Sequence, residues 1–378
     1  MIEISEARKY YPYLETGRIY MNHAAISPLS EPVVKELDDY IYVRSRTEIE
    51  NFPEYMKVMV DTKNKLGEMI NCDSSRIAFM DNTSNALNLL AQGLAWKTGD
   101  RIILNDIEFP SNIYPFLNLK QQGVEVDIVK SHNGIVSFED IERAITDKTK
   151  LVSISHVQFL SGYRADIEKI GELCRSKGII FCVDAIQAAG ALRIDVKKMN
   201  IDFLASGTQK WMMALQGLSF IFLTRELQEK INPRYVGWTS VIDAWNLLQY
   251  DLKLRSSAER FQNGTISAIG VIALHASIDF MRRFGHDRIE EAILGHTEYF
   301  MERLMENGIQ PVLQNVERKN LSGIVSFSST KAEELFGELQ KRNITAAVRE
   351  GIVRFSPHFY NTREEIDSVV SVLKEIVF

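Results

Sequence analysis

The sequence predicts an α/β protein, with a large domain on a mainly parallel seven-stranded sheet followed by a smaller C-terminal α/β domain. Short apolar runs alternate with amphipathic stretches between residues 76 and 223. Most of these runs lack period-two alternation, which is typical of strands buried on both faces of a parallel sheet. Repeated strand–helix–strand units then form a three-layer domain. The pattern changes after about residue 265, which indicates a second unit.

Seven apolar runs are the predicted strands of the large domain. In chain order they are RIAFM (76–80), RIILN (101–105), VEVDIV (124–129), LVSIS (151–155), IIFCV (179–183), IDFLAS (201–206) and LSFIFL (218–223). Between them, the stretches SNALNLLAQGL, FEDIERAI and DIEKIGELCRSKG carry apolar residues at helical spacing, so we predict helices there.

The C-terminal part begins with the helical stretch SAIGVIALHASIDFMRRFG and a helix around 287–307. The strands GIVSFSS and IVRFSPH are separated and followed by the helices KAEELFGELQKR and REEIDSVVSVLKEI. We predict an N-terminal segment (1–20) that packs with the small domain, a large ligand-binding domain (21–263) and the small domain (264–378). Residues 225–263 are rich in Trp, Tyr and charge, and we predict an irregular connection there.

Composition and charge limit the class of protein. Hydrophobic residues make up 45% and charged residues 25% of the 378 positions, which is ordinary for a soluble globular protein. The net charge of -6 gives no general attraction to nucleic acid or to an anionic membrane. The N-terminal stretch lacks the apolar core of a signal peptide, and no apolar run approaches the roughly 20 residues that span a bilayer. We therefore expect a cytoplasmic protein that binds neither nucleic acid nor membrane.

Several sequence motifs are absent. Cys72, Cys174 and Cys182 are scattered and include no C-x-x-C pair, so we expect reduced thiols and no metal site. No G-x-G, G-K-[ST], H-E-x-x-H or G-x-S-x-G occurs, which removes the common dinucleotide, Walker A, zinc-protease and serine-hydrolase signatures. These absences leave room for a cofactor that a side chain holds covalently.

Polar residues directly after the predicted strands are the candidate ligand contacts, because ligands of an open parallel sheet bind beyond its carboxyl ends. Asp184 ends IIFCVD, and Gln187 follows in DAIQAAG. An aspartate here is typical of a helix N-cap, or of a carboxylate that keeps a pyridinium nitrogen protonated. Lys210 follows another strand, in LASGTQKWMMALQG. Burial among small and apolar residues lowers the pKa of a lysine, whose neutral amine forms an imine with an aldehyde; an exposed loop lysine is the alternative.

Two further strand ends complete this set. Thr83 and Ser84 begin a helix after RIAFM, where free N–H groups and the helix dipole favour a phosphate, although simple capping gives the same pattern. Phe109 follows RIILN and offers an aromatic face, for which core packing is the commoner use. Together the strand ends provide partners for a phosphate, a pyridinium nitrogen, an aldehyde carbon and a ring face. Pyridoxal 5′-phosphate (PLP) carries all four.

With these residues in place, the chain resembles the class V aminotransferase family of fold-type I PLP-dependent enzymes. That family includes cysteine desulfurases, kynureninase-like enzymes and isopenicillin-N-epimerase-like enzymes. The resemblance extends from YMNHAAISPLS (20–30) to VRFSPHFYNTREEID (353–367). Its most specific motifs are VDAIQAAG, SGTQKW and RFSPHFYNT.

The resemblance implies a role for each matching residue. Lys210 and Asp184 would be catalytic, as the Schiff-base lysine and the partner of the pyridine nitrogen. Arg354 would bind the α-carboxylate of an amino-acid substrate bidentately, and a surface salt bridge is the alternative. The other implied cofactor contacts are Thr83, Ser84, Phe109, His156, Gln187, Ser206 or Thr208, and Thr265, and the other implied substrate contacts are His23 and His358. Thr265 would act from the neighbouring subunit, which implies a homodimer with shared active sites.

The sequence departs from desulfurases of the family at four places. Phe109 stands where a ring-stacking His is usual, Phe159 replaces an Asn, and Gln209 replaces the His before the lysine. Between Gly323 and Arg354 there is no Cys, although persulfide chemistry needs a thiolate nucleophile. We therefore predict against a cysteine desulfurase.

These departures favour transamination of a small amino acid, with Lys210 as general base. The same residues would serve an epimerase or a C–S lyase, and these alternatives stay open. A PLP-binding protein without turnover and an α/β binding protein without PLP are the non-enzymatic alternatives.

Overall fold

The computed structural model describes residues 2–377. Its strands are β1 (Ile19–Tyr20), β2 (Ile77–Met80), β3 (Arg101–Asn105), β4 (Glu125–Val129), β5 (Thr149–Ser155), β6 (Ile180–Asp184), β7 (Phe203–Gly207), β8 (Ser219–Leu223), β9 (Val325–Ser328), β10 (Ile344–Thr345), β11 (Ala347–Arg349) and β12 (Ile352–Phe355). Its α-helices are α1 (Glu31–Arg46), α2 (Phe52–Ile70), α3 (Thr83–Gly93), α4 (Tyr114–Leu117), α5 (Phe138–Ala144), α6 (Ile167–Lys177), α7 (Arg225–Lys230), α8 (Ala268–Arg282), α9 (His286–Glu306), α10 (Ala332–Lys341) and α11 (Arg363–Val377).

Seven strands form the central sheet in the order β2-β8-β7-β6-β5-β3-β4. Strand β8 runs antiparallel to both of its neighbours, and the other pairs are parallel. The seven predicted strands and the mainly parallel sheet are therefore confirmed. Every residue of β7 and β8 is buried, which explains why their sequences show no alternation.

The predicted helix DIEKIGELCRSKG corresponds to α6. Asp166 caps its first turn by accepting from the Lys169 N–H, and Gly178 ends it in the left-handed conformation at φ 67°. Its buried face is formed by Ile167, Ile170, Gly171 and Cys174. The 3.6-residue period thus identified both the helix and its inner face.

Two long helices, α1 and α2, had no sequence prediction. Helix α2 buries Tyr55, Met59, Leu66 and Ile70 along one side, so its amphipathic pattern could have predicted this helix. Both helices pack on α8, which is buried over most of its length. No helix among residues 2–377 is both long and apolar enough to cross a membrane.

The C-terminal unit contains an antiparallel sheet in the order β11-β12-β9, covered by α9, α10 and α11. The N-terminal segment contacts this unit, because β1 pairs with β10 and the ring of Tyr11 stacks on Tyr360 with 4.0 Å between centroids. The predicted boundary at residue 264 stays a prediction, but α8 packs with the helices of the large domain. Residues 225–263 are irregular apart from α7 and two short 3-10 turns.

Gly171 shows how closely α6 approaches the following loop. A Cβ added at Gly171 would lie 1.9 Å from the Met199 carbonyl oxygen. We predict that Gly171→Ala lowers the free energy of unfolding by about 1–3 kcal/mol, because the backbone on both sides must shift. Gly337→Ala is the matched control, since Gly337 lies in α10 with open space at its Cβ position, and it should be neutral or stabilise by up to about 1 kcal/mol. Equal urea-unfolding midpoints for the two variants would contradict this packing.

Candidate active site

The carboxyl ends of the sheet strands bring the predicted chemistry together at one edge. Asp184 ends β6 and is buried, and its Oδ1 accepts a hydrogen bond from the Ile186 N–H at 2.9 Å. Burial raises the pKa of Asp184 to about 7; the bond from Ile186 opposes this, the charge of Glu108 adds to it and the charge of Lys210 opposes it. A nearby cation therefore stabilises the ionised form of this carboxylate strongly.

Lys210 lies in the loop that follows β7. Burial lowers the pKa of Lys210 to about 8; Asp184 opposes this shift, and the positive charges of Arg354 and Arg349 add to it. The Nζ atom lies 5.6 Å from the ring centroid of Phe109. A substantial fraction of the amine is therefore neutral, and thus nucleophilic, near physiological pH.

Contacts from several elements fix the Lys210 loop. Ser27 accounts for two of them, because its Oγ donates to the Lys210 carbonyl at 2.6 Å and its N–H donates to the Gln209 carbonyl at 2.9 Å. A Cβ at Gly323 would lie 2.2 Å from the Trp211 ring, and one at Gly190 would lie 2.5 Å from the Trp211 carbonyl oxygen. The lysine is thus presented from a rigid backbone, which favours a single reactive geometry. Ser27 was missed by sequence reasoning, although it lies in the motif YMNHAAISPLS.

Arg354 is a buried guanidinium on β12. Its Nη1 donates to the Phe159 carbonyl at 2.7 Å, while its Nε is buried without a partner. No carboxylate among residues 2–377 forms an ion pair with it. Burial lowers the pKa of Arg354 to about 10, and the charge of Arg349 adds to this. An anionic ligand would supply the missing partner, as the α-carboxylate assignment requires.

Besides Thr265 from the neighbouring subunit, four hydroxyl side chains were predicted as phosphate contacts, and they differ in what they already bind. The Thr83 Oγ1 is buried without a partner at the N-terminus of α3, which Asn82 caps. Ser84 donates to the Ser111 Oγ at 2.8 Å and Ser206 to the Gly207 carbonyl at 3.0 Å. The Thr208 Oγ1 donates to the carbonyl oxygens of Leu215 and Leu218, so its hydroxyl stabilises the loop that carries Lys210.

A model of the family described as aminotransferase class-V matches residues 19–369 of this chain. The chain belongs to the class-V aminotransferase family. It is 29% identical to the uncharacterized aminotransferase YcbU of Bacillus subtilis, over 95% of this chain and 94% of that protein. It is 28% identical to a probable cysteine desulfurase of Methanothermobacter thermautotrophicus, over 98% of this chain and 97% of that protein.

Solved structures of similar fold agree with this family. The apo structure of a cysteine desulfurase from Thermococcus onnurineus superposes with a TM-score of 0.91 at 27% identity and covers 100% of this chain and 98% of that one. A second, C-DES with glycine covalently linked to its PLP cofactor, has a TM-score of 0.88 at 21% identity, over 97% of this chain and 99% of that one. The family, the fold-type I architecture and PLP as the cofactor are thereby confirmed.

The side chains of this class-V enzyme fit PLP. Ten buried side-chain polar atoms lack a partner among the described residues, and three of them belong to predicted site residues, namely Thr83 Oγ1, His156 Nδ1 and Arg354 Nε. Such atoms are costly to bury alone, and groups of a bound PLP and its substrate would satisfy these three. Burial lowers the pKa of His156 to about 3, so its ring is neutral and can face the ring of the cofactor without adding charge.

Gln187 and the two predicted substrate histidines lie in one aromatic cluster between the domains. Gln187 donates to the Ala24 carbonyl at 3.0 Å and accepts from the Trp211 indole at 2.9 Å, which leaves one amide hydrogen for the cofactor. His358 accepts from the Phe359 N–H at 2.9 Å, and its Nε2 donates to the Trp211 carbonyl at 3.1 Å.

His23 donates to the Ser356 carbonyl at 2.8 Å and accepts from the Tyr360 hydroxyl at 2.6 Å. Burial lowers the pKa values of His23 and His358, to about 4 for His358, so both rings are neutral. All four ring nitrogens are occupied by protein. The geometry therefore does not support substrate binding by these histidines, and we propose that they hold the Lys210 loop against the small domain.

Glu108 is a second residue that sequence reasoning missed. Its buried carboxylate accepts from the Asn105 and Asn112 amides at 2.6 and 3.0 Å, from the Ser155 N–H at 2.7 Å and from the Gln158 amide at 3.0 Å. Neutral donors alone satisfy this charge. The network fixes the turn that carries Phe109, whose ring packs edge to face on Phe159 with 5.3 Å between centroids.

The three cysteines do not belong to the site. Cys72 ends the α2 region, Cys174 lies in α6, and Cys182 points into the sheet core. Burial raises the pKa values of Cys72 and Cys174 to about 12 and that of Cys182 further, so none is a thiolate near neutral pH. No cluster of metal-binding side chains occurs within the described part of the chain.

The Lys210 amine should titrate well below an ordinary lysine. In apoprotein, competitive acetylation at graded pH should give a midpoint near 8 for Lys210, while exposed Lys35, whose pKa is raised by its bond to Asp39, serves as the internal control. Asp184→Asn removes the neighbouring negative charge, so it should lower the Lys210 midpoint. Arg354→Gln removes a positive charge, so it should raise that midpoint. A midpoint equal to that of Lys35 would show that the amine is freely solvated.

Proposed function

We propose that this PLP enzyme is an aminotransferase whose amino-acid substrate binds Arg354 through its α-carboxylate. The observation that carries the proposal is the apolar, aromatic surface that faces the Lys210 amine. Phe109 faces Lys210 there, and it packs on Phe159. Neither ring can carry a proton, so Lys210 is the natural group to move protons at the substrate. YcbU, the similar protein from Bacillus subtilis, is itself named an aminotransferase.

The roles of the protein groups follow from their positions. When bound, PLP supplies an electron sink for the substrate's Cα–H bond. The Lys210 amine, with its pKa lowered to about 8, takes the Cα proton as a general base. Asp184 stabilises positive charge on the pyridine nitrogen, because a neighbouring cation offsets the cost of burying the Asp184 carboxylate. Arg354 fixes the carboxylate, so that the Cα–H bond stays within reach of one base.

A single base distinguishes among the reactions left open by sequence. Epimerisation needs proton donors on both faces of Cα, and Phe109 provides none on its side. In a transamination, the same lysine would deliver this proton to the former aldehyde carbon of PLP, and water would then release the 2-oxo acid. Expelling a leaving group from Cβ completes an elimination, and this second candidate is favoured by relatives named cysteine desulfurases. A persulfide on the protein is not part of either proposal, since the three cysteines lie elsewhere.

Lys210 and Asp184 variants test the proposal. Purified protein with PLP should show a visible absorbance band that borohydride removes, and Lys210→Ala should lose this covalent link. Asp184→Asn should keep the cofactor and lose most turnover, because a neutral amide cannot hold the ring nitrogen protonated. Single amino acids incubated with the wild type should bleach the band and release the corresponding 2-oxo acid.

Cysteine and its products separate the candidates. Pyruvate and sulfide from L-cysteine, with no bleaching by other amino acids, would identify the lyase. A variant with Cys72, Cys174 and Cys182 all replaced by Ala should keep wild-type turnover in either case. A protein-bound persulfide whose loss abolishes activity would overturn both candidates. A protein that stays colourless with PLP would overturn the covalent link between PLP and Lys210.

We also propose that two copies associate through the aromatic ribbon, residues 235–252. Several of its apolar side chains are exposed, and Leu248 and Tyr250 reach 86% and 91%. Clusters of exposed apolar side chains are typical of protein–protein interfaces. Trp245 and the exposed Thr265 line one surface cleft of about 1250 Å³. The predicted contribution of Thr265 to a neighbouring site thus has a continuous surface to support it.

Subunit mixing tests the shared site. Lys210→Ala should be inactive, and Thr265→Val should lose activity at limiting PLP because its hydroxyl contact is gone. In a mixed dimer, one site combines an intact Lys210 with an intact Thr265. After random exchange of equal amounts, activity should recover to about a quarter of the wild-type value, since half of the dimers hold one intact site. A monomer by sedimentation, or no recovery after proven exchange, would contradict the shared site.

A further inference from the structure

The hairpin between β11 and β12 places two arginines side by side. Glu350 and Gly351 form its two-residue turn, both with positive φ, at 50° and 74°. The register pairs Arg349 with Ile352 and Arg354 with Ala347. Residues opposite each other and residues two apart share a face of a sheet. Arg349 and Arg354 therefore occupy one face as diagonal neighbours, which are typically about 7–8 Å apart.

This face of the sheet borders open space. Ile352 and Ser328, which pair with each other in the sheet, line a cleft of about 730 Å³ together with Ser161 of the large domain. Arg354 lies on the same face and bonds the Phe159 carbonyl. Arg349 is exposed, so its long side chain has room to move. A ligand held by Arg354 thus lies where Arg349 can also reach it.

The positive charge of Arg349 acts on two groups of the site. It lowers the pKa of Lys210 and of Arg354, after the larger effect of burial in each case. Neither arginine forms an ion pair within residues 2–377. Asp184 is committed to the pyridine nitrogen under the proposed function, and Glu108 is satisfied by neutral donors. The Arg349 Nη1 donates only to the Val348 carbonyl at 2.7 Å, so neither guanidinium has a protein counter-ion within the described chain, and one α-carboxylate balances only one of them.

We propose that the substrate carries a second anionic group on its side chain and that Arg349 binds it. This inference rests on the proposed function, because it assumes that Arg354 takes the α-carboxylate. Diagonal neighbours on a sheet bring two flexible guanidinium groups within the span of a short dicarboxylate. The substrate class is thus a four- or five-carbon amino acid with an acidic side chain. Guanidinium recognises a carboxylate by two parallel hydrogen bonds, so the neutral amide of the same shape should bind poorly.

Titration of the holoenzyme with unreactive acids tests Arg349 directly. Succinate and succinamate have the same shape and differ by one charge, and their affinities can be read from inhibition or from the shift of the visible band. Succinate should bind the wild type at least about tenfold more tightly than succinamate, a factor typical of one charge-assisted contact. Arg349→Gln should abolish this preference and leave succinamate affinity unchanged. Arg349→Lys should restore part of it, because charge returns without the fork geometry.

Two controls keep the test specific. Arg354→Gln should weaken both ligands, since it removes the contact that they share. Arg342→Gln alters another exposed arginine of the small domain, one paired with Glu375, and should change neither affinity. Equal binding of succinate and succinamate by the wild type, or a preference that survives in Arg349→Gln, would overturn the proposal.

Turnover provides the second measurement. L-aspartate and L-glutamate should exceed L-asparagine and L-glutamine in kcat/KM for the wild type, and this ratio should collapse in Arg349→Gln. A ratio near one with active enzyme would overturn the role of Arg349 and leave the proposed function intact. Loss of the visible band in Lys210→Ala tests the proposed function separately, because it needs no substrate.

Discussion

The interaction between buried Asp184 and half-buried Lys210 is the constraint on which the site depends. Burial drives both groups toward their neutral forms, with pKa values near 7 and 8, and each charge partly restores the other. The sheet makes this arrangement possible, because β6 and β7 are adjacent parallel strands that end at the same edge. A cofactor with a cationic ring nitrogen and an aldehyde meets both requirements at once.

The small domain supplies further groups of the site and holds the loop that carries Lys210. Arg354 comes from β12, and the cluster of His23, His358 and Tyr360 joins the chain just after β1 to the loop that carries Lys210. The reactive lysine is therefore held by contacts from three parts of the chain. Because each histidine has both nitrogens bonded and stays neutral, the cluster adds rigidity without adding charge. The positive charge near the substrate comes from the arginines and from Lys210.

Much of the site could be anticipated from local sequence. Asp184, Lys210 and Thr83 directly follow buried strands, and parallel strands bring their carboxyl ends together without any knowledge of side-chain packing. Glu108 and Ser27 were not anticipated, because a single glutamate or serine in a loop has no period or motif of its own. Their roles arise from partners distant in sequence, such as Ser155 for Glu108 and Lys210 for Ser27.

The sequence alone determined the α/β class, the seven strands and the residues at their ends, since these follow from hydrophobic period and from position along the chain. The tertiary structure decided which polar atoms stay unpartnered. It separated Thr83 and Arg354, which keep a free buried atom, from Thr208, His23 and His358, whose groups bind the protein itself. The hairpin register likewise placed Arg349 beside Arg354. Hydrogen-bond satisfaction is a property of packed neighbours, so no local pattern encodes it.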